Sequence, residues 1–347
     1  MNIIDTLGLS LPIFQAPISC YPNQAKLVAA VSQHGGLGIL CANYQSLLEV
    51  DESIGKIQAK TAKAFAVMIN VNIGDSSADL VDKSQANRYL TDAYHHLNVD
   101  KTETVELPSI DKLLQLVINK RPPVIIFQNG LPADHLIHQC QKNDITVMAI
   151  AGNALEAIVA SRVVDAIILQ GCESAGVQSR FANQLAIPSY PVSTLLQQAL
   201  PNVNKPLIVW GDAQLPQHIA SHLINGAAAV MIDTPFWTTK ESPIPPSYRQ
   251  ALITQHNEMQ TTLSSVWLGY PARTLINTLT KATAKYTTTL PPKTQQHIML
   301  PIIQAAIEQD NPDYMPMWAG FCAVTSGKTV AQLCKAFAKG LNEIITD

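Results

Sequence analysis

The sequence is poor in charged residues, in aromatic residues and in long apolar runs. Charged residues make up 14% and aromatic residues 6% of the 347 residues, and the formal net charge is -3. We therefore expect no basic surface for nucleic acid or for an anionic membrane. No apolar run approaches the ~20 residues of a membrane span, and the first residues lack the basic segment and apolar core of a signal peptide. These absences predict a soluble cytoplasmic protein.

Cysteine is sparse, and its spacing forms no pattern. The six cysteines are scattered along the chain without a companion pattern of histidines. We therefore expect neither a zinc site nor a disulfide framework, and no metal centre. Most of the cysteines are interpreted as reduced packing residues. They are Cys20, Cys41, Cys140, Cys172, Cys322 and Cys334.

Aliphatic side chains dominate instead. Apolar residues make up 47% of the sequence, which is enough for a large core. Short apolar runs alternate with segments of helical character, and this alternation is typical of βα units around a parallel sheet. The predicted strands are residues 12–15, 38–40, 64–70, 124–127, 146–149, 166–169, 207–209 and 229–232.

Eight βα units favour a TIM barrel. Two groups of prolines, at positions 243, 245 and 246 and at positions 312 and 316, bound the mostly helical segment that follows the eighth strand. We predict one barrel domain formed by residues 1–242 and 316–347, with a mostly helical cap over residues 243–315. The predicted helices are residues 23–33, 153–162, 215–225 and 328–344, with further helices within 75–118.

The sixth predicted strand leads into a loop of small residues that carries a glutamine and a glutamate, QGCESAGV at residues 170–177. This loop is similar to the signature loop of the nitronate monooxygenase family, flavin-dependent oxidases formerly called 2-nitropropane dioxygenases. Further segments match the family in the correct order. They are residues 12–17, 31–40, 65–70, 127–132, 226–242, 269–273 with Asn277, and 318–320.

The resemblance implies FMN at the mouth of the barrel, where reactive groups follow the carboxyl ends of the strands. Asn70 and Gln170 can each donate and accept hydrogen bonds at the flavin ring, and backbone N–H groups after strands seven and eight suit the phosphate. Alternatively, the two amides only satisfy backbone groups at the strand ends. The candidate cofactor-binding residues are Ala16, Pro17, Asn70, Gln170, Gly171, Gly176, Gly211, Asp212, Asp233 and Thr234.

Two aspartates depart from the family pattern near the expected phosphate. Asp212 stands where the family typically continues Gly-Gly-Ile, and Asp233 where it has Gly-Thr. Like charges ~4 Å apart repel by about 4 kcal/mol even at an effective dielectric constant of 20. Alternatively, both aspartates cap the helices that follow them.

A third departure is Val177, at the position of the family's catalytic histidine. That role needs a group that titrates near neutrality, and valine has none. Glu173 is a candidate base, although its ionised form would repel an anionic nitronate. His34 is a second candidate, with a turn position as the simpler interpretation. Cys172 lacks a neighbouring activating group in the loop and is interpreted as an inert small residue.

Two classes of function follow. The first is an FMN-dependent oxidoreductase that oxidises alkyl nitronates, reduces a small acceptor with NAD(P)H, or resembles flavin-dependent enoyl-acyl-carrier-protein reductases. The second is a degenerate barrel without flavin chemistry that serves as a binding or partner protein. A small-molecule substrate and a possible homodimer are expected, with no nucleic-acid or membrane partner.

Overall fold

The computed structural model describes residues 2–71, 84–102, 105–180, 190–255, 258–284, 290–321 and 324–346. Cys322 and parts of the region 75–118 lie outside the described residues. The five other cysteines are free thiols, as expected. No helix among the described residues is long and apolar enough to cross a membrane.

All eight predicted strands are present, and they pair in parallel in one sheet. A two-residue strand, β7 (Gly176–Val177), is inserted after the sixth of them. The strands of the large sheet are β1 (Ile13–Gln15), β2 (Gly38–Cys41), β3 (Phe65–Asn70), β4 (Val124–Gln128), β5 (Thr146–Ala151), β6 (Ala166–Gln170), β8 (Leu207–Trp210) and β9 (Ala229–Ile232).

The sheet curls into a nearly closed barrel. Its strand order is β1-β9-β8-β6-β5-β4-β3-β2, and the first and last strands of that order meet through backbone hydrogen bonds. The Leu37 N–H donates to the Ile13 oxygen, and the Gln15 N–H donates to the Leu37 oxygen, both at 2.9 Å. The strands are continuous apolar runs because both of their faces are covered. This confirms the TIM-barrel-like fold.

Helices surround the barrel and cover its strands. Their N-termini follow local sequence signals: Ser46 and Glu49 form a capping box, and Asn153 accepts a hydrogen bond from the Glu156 N–H. The helices are α1 (Ile3–Thr6), α2 (Ala25–Gln33), α3 (Leu47–Gln58), α4 (Ser84–Leu97), α5 (Ile110–Lys120), α6 (Asp134–Lys142), α7 (Ala154–Ala160), α8 (Val192–Ala199), α9 (Pro216–Ile224), α10 (Thr234–Trp237), α11 (Pro246–Thr254), α12 (Thr278–Thr283), α13 (Pro292–Glu308) and α14 (Val330–Thr346).

The C-terminal helix α14 packs against α9 and α2 and so returns the chain to the barrel wall. The intervening segment contains α11, α12 and α13, as predicted, but it also contains two strands that the sequence did not predict. These are β10 (Thr261–Ser264) and β11 (Ala272–Leu275). With β7 they form an antiparallel sheet of three strands in the order β10-β11-β7. Both strands are short and contain polar residues, so a prediction from apolar runs does not detect them.

Gly38 lets α2 approach β2 closely. A Cβ atom at Gly38 would lie 2.1 Å from the main-chain oxygen of Val28, so backbone would have to move. We expect Gly38→Ala to lower the free energy of unfolding by about 1 to 3 kcal/mol or more, as overpacking does. The measurement is denaturant unfolding.

Gly55→Ala is the matched control for this prediction. Gly55 is exposed within α3, and no atom outside the backbone of its own helix lies within 4 Å of its added Cβ, so alanine should stabilise the helix by about 0.5 to 1 kcal/mol. Equal unfolding free energies for the two variants would contradict the close approach of α2 to β2.

Candidate functional site

The carboxyl ends of the barrel strands carry a buried polar network, and Gln170 at the end of β6 is its centre. The Gln170 Nε2 donates to the main-chain oxygen of Val177 at 2.9 Å and to the Ser174 Oγ at 3.0 Å. The Gln170 Oε1 accepts from the Ser179 N–H at 2.8 Å. One side chain therefore fixes both ends of the loop that follows its own strand. The amide therefore satisfies backbone groups at its strand end, and its contact with a flavin stays a prediction.

The network continues to β4 through Asn129. The Asn129 N–H donates to the Ser179 Oγ at 3.0 Å, and the Asn129 Oδ1 accepts from the Arg180 N–H at 3.2 Å. Asn129 has a left-handed backbone with φ 57°, a conformation that asparagine tolerates better than most residues. The ends of β4 and β6 are thus joined by side chains.

Asn70 at the end of β3 is fully buried and hydrogen-bonded within the protein. Its N–H donates to the Asn43 Oδ1 at 2.6 Å, and its Nδ2 donates to the Tyr44 hydroxyl at 3.3 Å. Burial raises the pKa of Tyr270 to about 12, against the opposing effects of a hydrogen bond with the Asn70 side chain and the positive charge of Arg180. The Arg180 N–H itself binds Asn129, at the end of the neighbouring strand β4.

Ala16 and Pro17 follow β1 and are buried. The indole Nε1 of Trp237 donates to the Ala16 oxygen at 2.9 Å, and the Nε1 of Trp318 donates to the Ser19 oxygen at 2.9 Å. Both tryptophans are almost wholly buried. Two rigid indoles therefore hold the loop after β1 against the segments that follow the barrel.

Glu173 is buried between the ends of β6 and β8. Its Oε1 accepts from the Val192 N–H at 2.8 Å, and its Oε2 has no hydrogen-bond partner among the described residues. A Cβ at Gly171 would lie 2.2 Å from that Oε2, and one at Gly211 would lie 3.1 Å from the Glu173 Cδ. Burial, and to a lesser degree the charge of Asp212, raises the pKa of Glu173. Glycine at both positions makes room for this carboxyl group.

Cys172 and Gly176 lie in the same loop, beside Arg273. The Arg273 Nε donates to the Cys172 oxygen at 2.9 Å, and the guanidinium lies 4.3 Å from the ring centre of Phe321. Arg273 also pairs with Gly176 in the register of β11 and β7. Burial, followed by the charge of Glu173, raises the pKa of Cys172. The thiol is therefore a poor nucleophile, in agreement with the interpretation of Cys172 as an inert residue.

Asp212 turns away from the mouth of the barrel. Its Oδ1 lies 2.7 Å from the His222 Nε2 on α9, and its side chain is 51% exposed. The hydrogen bond from His222 lowers the pKa of Asp212. The expectation that Asp212 caps α9 is wrong. The N-cap residue of α9 is Leu215, and no side chain makes a capping hydrogen bond there.

Asp233 points inward and is 1% exposed. Its Oδ1 accepts from the Thr234 N–H at 2.6 Å and from the Gln214 Nε2 at 2.8 Å, and its Oδ2 accepts from the Ala175 N–H at 3.3 Å. The capping role expected of Asp233 is confirmed, since it is the N-cap residue of α10. Its carboxylate also joins the loops that follow β6, β8 and β9.

The structure does not bring His34 to this site. His34 is exposed at the C-cap of α2, three residues before Leu37, which pairs with Phe14. It therefore lies near the amino ends of the strands, opposite Glu173. A turn position, the simpler interpretation, describes it.

Several buried polar atoms at the mouth have no hydrogen-bond partner among the described residues. Each such atom calls for an explanation, and an absent ligand or water is a common one. These atoms follow β4, β6, β8 and β9, so they surround one end of the barrel. They are Asn129 Nδ2, Glu173 Oε2, Gln214 Oε1 and Thr234 Oγ1.

A cavity of about 580 Å³ opens beside this end of the barrel. Val71, the residue after Asn70, contributes to its wall together with residues 105–110. Lys293 and His297, one turn apart on α13, line the other side. The cavity therefore combines apolar walls with the ionisable side chains of Glu106, Lys293 and His297.

Sequence reasoning missed Asn43, Gln214, Arg180 and Tyr270 as parts of this site. Gln214 lies shortly after β8 and could have been found by extending the search along that loop. Tyr270 comes from the segment after the barrel, and no local pattern indicates that it approaches Asn70.

Comparisons with known proteins agree with this architecture. The family model described as "Nitronate monooxygenase" matches residues 2–340. A probable nitronate monooxygenase from Staphylococcus haemolyticus is 28% identical over 92% of this chain and 90% of its own length. The structure of a nitroalkane oxidase from Streptomyces ansochromogenes is 25% identical, covers 100% of this chain and 99% of its own, and superposes with a TM-score of 0.89. FabK from Thermotoga maritima shares the fold at 22% identity over 99% of this chain and 96% of its own, with a TM-score of 0.76.

Removing the charge of Glu173 should change stability in a pH-dependent way. Burial raises the pKa of Glu173 in the folded protein. The folded protein is therefore most stable with respect to this group below the ordinary glutamate pKa of about 4.3, where the carboxyl group is neutral, and it loses that stability as pH rises through the raised pKa. Glu173→Gln has no such loss. We expect its free energy of unfolding, relative to the unmodified protein, to rise with pH across this window in urea unfolding experiments.

Asp212→Asn provides a control of opposite sign. The lowered pKa of Asp212 contributes stability above the ordinary aspartate pKa of about 3.9, and this is lost as pH falls through the native value. Asp212→Asn should therefore have a lower free energy of unfolding than the unmodified protein at neutral pH. A gain for Glu173→Gln that does not depend on pH would contradict the assignment to burial of the charge.

Proposed function

Because the chain belongs to the nitronate monooxygenase family, an enzyme family of flavin oxidoreductases, we propose that it is a flavin-dependent oxidoreductase acting at the carboxyl mouth of its barrel. Its substrate is a small molecule, either an alkyl nitronate or an acceptor reduced with NAD(P)H. The observation that carries this proposal is the group of unpartnered buried polar atoms around the mouth. The likeness to a nitroalkane oxidase over the whole chain supports it.

The polar groups present fit a flavin ring. The pyrimidine edge of an isoalloxazine presents both donors and acceptors, and the unpartnered Asn129 Nδ2 supplies a donor beside Gln170. Asn70 stands at the adjacent strand end, since it pairs in register with Gln128. These amides would hold the ring and orient it. The bound flavin would supply hydride or single-electron transfer, which no side chain of this mouth provides.

The same residues do not fit the phosphate of FMN, the form of flavin implied by the family resemblance. The Ala175 N–H, the Gln214 Nε2 and the Thr234 N–H are already hydrogen-bonded to the Asp233 carboxylate, which leaves the Thr234 hydroxyl as an unpartnered donor beside them. A phosphate dianion there would meet a buried negative charge. We therefore assign the ring to this site and assign no role to a phosphate.

The protein's own groups suit binding of an anion better than transfer of a proton. The Arg180 N–H binds Asn129 at the mouth, and a guanidinium attracts an anion but is not a proton donor at neutral pH. Glu173 is held by the Val192 N–H and by burial. Val177 is 2% exposed and carries no titrating group. In this proposal Arg180 attracts the substrate, while no group replaces the histidine typical of the family.

Replacing Gln170 tests the flavin site. Gln170→Ala removes an amide that holds the loop and borders the ring, so we expect flavin affinity to fall by about 1 to 3 kcal/mol, the cost of leaving a buried polar group unpaired. The measurement is quenching of flavin fluorescence on titration, together with the visible flavin spectrum of the purified protein.

Gln141→Ala is the matched control for Gln170→Ala. Like Gln170, Gln141 donates from its side-chain amide to a main-chain oxygen. Its acceptor is Val163, which precedes β6 and so lies near the amino ends of the strands. It should change thermal stability without changing flavin affinity. Failure of the unmodified chain to bind any flavin, even at saturating concentration, would refute the proposed function.

Replacing Val177 tests the chemistry. The unmodified protein should oxidise propyl nitronate slowly, and Val177→His should raise the turnover number, because general acid-base groups contribute about 10²- to 10⁴-fold. Oxygen consumption by flavin-loaded samples measures this. Val177→Leu controls for added bulk at a buried position and should give no gain. Rapid turnover by the unmodified protein would show that another group already fills the role.

A further inference from the structure

The Asp233 carboxylate is the common acceptor for three loops at one end of the barrel. It receives the Thr234 N–H at 2.6 Å, the Gln214 Nε2 at 2.8 Å and the Ala175 N–H at 3.3 Å. All three partners are donors, which is the arrangement that an anion requires. The carboxylate is 1% exposed, so water contributes little to its solvation.

This arrangement reproduces, within the chain, the surroundings of a bound phosphate. Barrel enzymes frequently bind phosphate with backbone N–H groups of the loops after the seventh and eighth barrel strands. Here those strands are β8 and β9, and the loops that follow them contribute Gln214 and Thr234. Their donors point at a side chain of the protein.

Gly320 packs close to Asp233 and to the loop that follows β6. A Cβ at Gly320 would lie 3.7 Å from the Asp233 Oδ2 and 2.6 Å from the Glu173 oxygen. The ion pairs found among the described residues involve other carboxylates. An added dianion would therefore face an Asp233 charge that forms no ion pair among the described residues.

We propose that Asp233 takes the place of the terminal phosphate of FMN and makes the site selective for a flavin that ends in a neutral hydroxyl group, as riboflavin does. This inference rests on the proposed flavin-dependent function. A carboxylate accepts a hydrogen bond from a hydroxyl group, whereas it repels a phosphate and competes with it for the same donors. Asp233 is thus the residue that determines specificity at this end of the site.

The test compares riboflavin and FMN as ligands of the full chain after removal of any bound flavin. Binding is followed by quenching of flavin fluorescence for the unmodified protein, Asp233→Gly and Asp233→Asn. Asp233→Gly frees all three donors, while Asp233→Asn removes the charge and retains most of the side-chain volume, so it serves if the glycine variant unfolds. Thermal unfolding with and without inorganic phosphate is recorded for each protein.

We expect the unmodified protein to bind riboflavin at least as tightly as FMN. Both Asp233 variants should raise the ratio of FMN affinity to riboflavin affinity by about tenfold or more, a change of roughly 1.4 kcal/mol. Asp212→Asn is the matched control: it removes a charge from the adjacent loop whose side chain faces His222, and it should leave the ratio unchanged.

Two results would overturn the inference. One is a preference of the unmodified protein for FMN by about tenfold or more, and the other is an unchanged ratio in both Asp233 variants. If no protein binds either flavin, the proposed function fails, and inorganic phosphate then decides the role of Asp233. Thermal stabilisation by phosphate of Asp233→Gly alone supports that role, whereas equal stabilisation of the unmodified protein excludes it.

Discussion

The hydrogen bonds of the Gln170 amide are the interaction on which the rest of the site depends. This side chain ends β6 and binds the main chain at Val177 and Ser179, so it sets the path of the loop between them. That path brings the Ala175 N–H to Asp233 and places Gly176 and Val177 in register with β11. A buried amide with both its donor and its acceptor paired is costly to disturb. The barrel strand β6 therefore fixes the position of the loop through its last side chain, Gln170.

The fold could be predicted from the sequence to a large extent because its strands are continuous apolar runs. Each of the eight predicted runs became a barrel strand, with ends that differ from the predicted ones by at most two residues. β10 and β11 escaped detection because TTLS and ARTL are polar and short. They are strands because β7 offers an edge for pairing, and such an edge is a tertiary feature that no local pattern encodes.

The site was predictable in its location but not in its contacts. The rule that reactive groups follow barrel strands led to Asn70, Gln170 and Asp233, which the structure places at one end of the barrel. The same reasoning treated Asp212 and Asp233 alike, yet one faces His222 outside the barrel and the other lies inside it. Which way an aspartate turns depends on partners distant in sequence, so a single sequence could not separate the two.

The antiparallel sheet formed by β7, β11 and β10 restricts how a ligand can enter. The Gln178 N–H donates to the Pro271 oxygen at 2.8 Å, and the Phe321 N–H donates to the Glu173 oxygen at 3.0 Å. Main-chain bonds, each worth about 1 kcal/mol, thus join the segment after β6 both to the cap, at Pro271, and to the segment that follows the cap, at Phe321. A hinged opening of the whole cap would break several of them together and expose the carboxylate of Glu173 to water. The cavity beside Val71 is lined by residues 105–110 and by α13, so a small molecule that occupied it would leave these main-chain bonds intact.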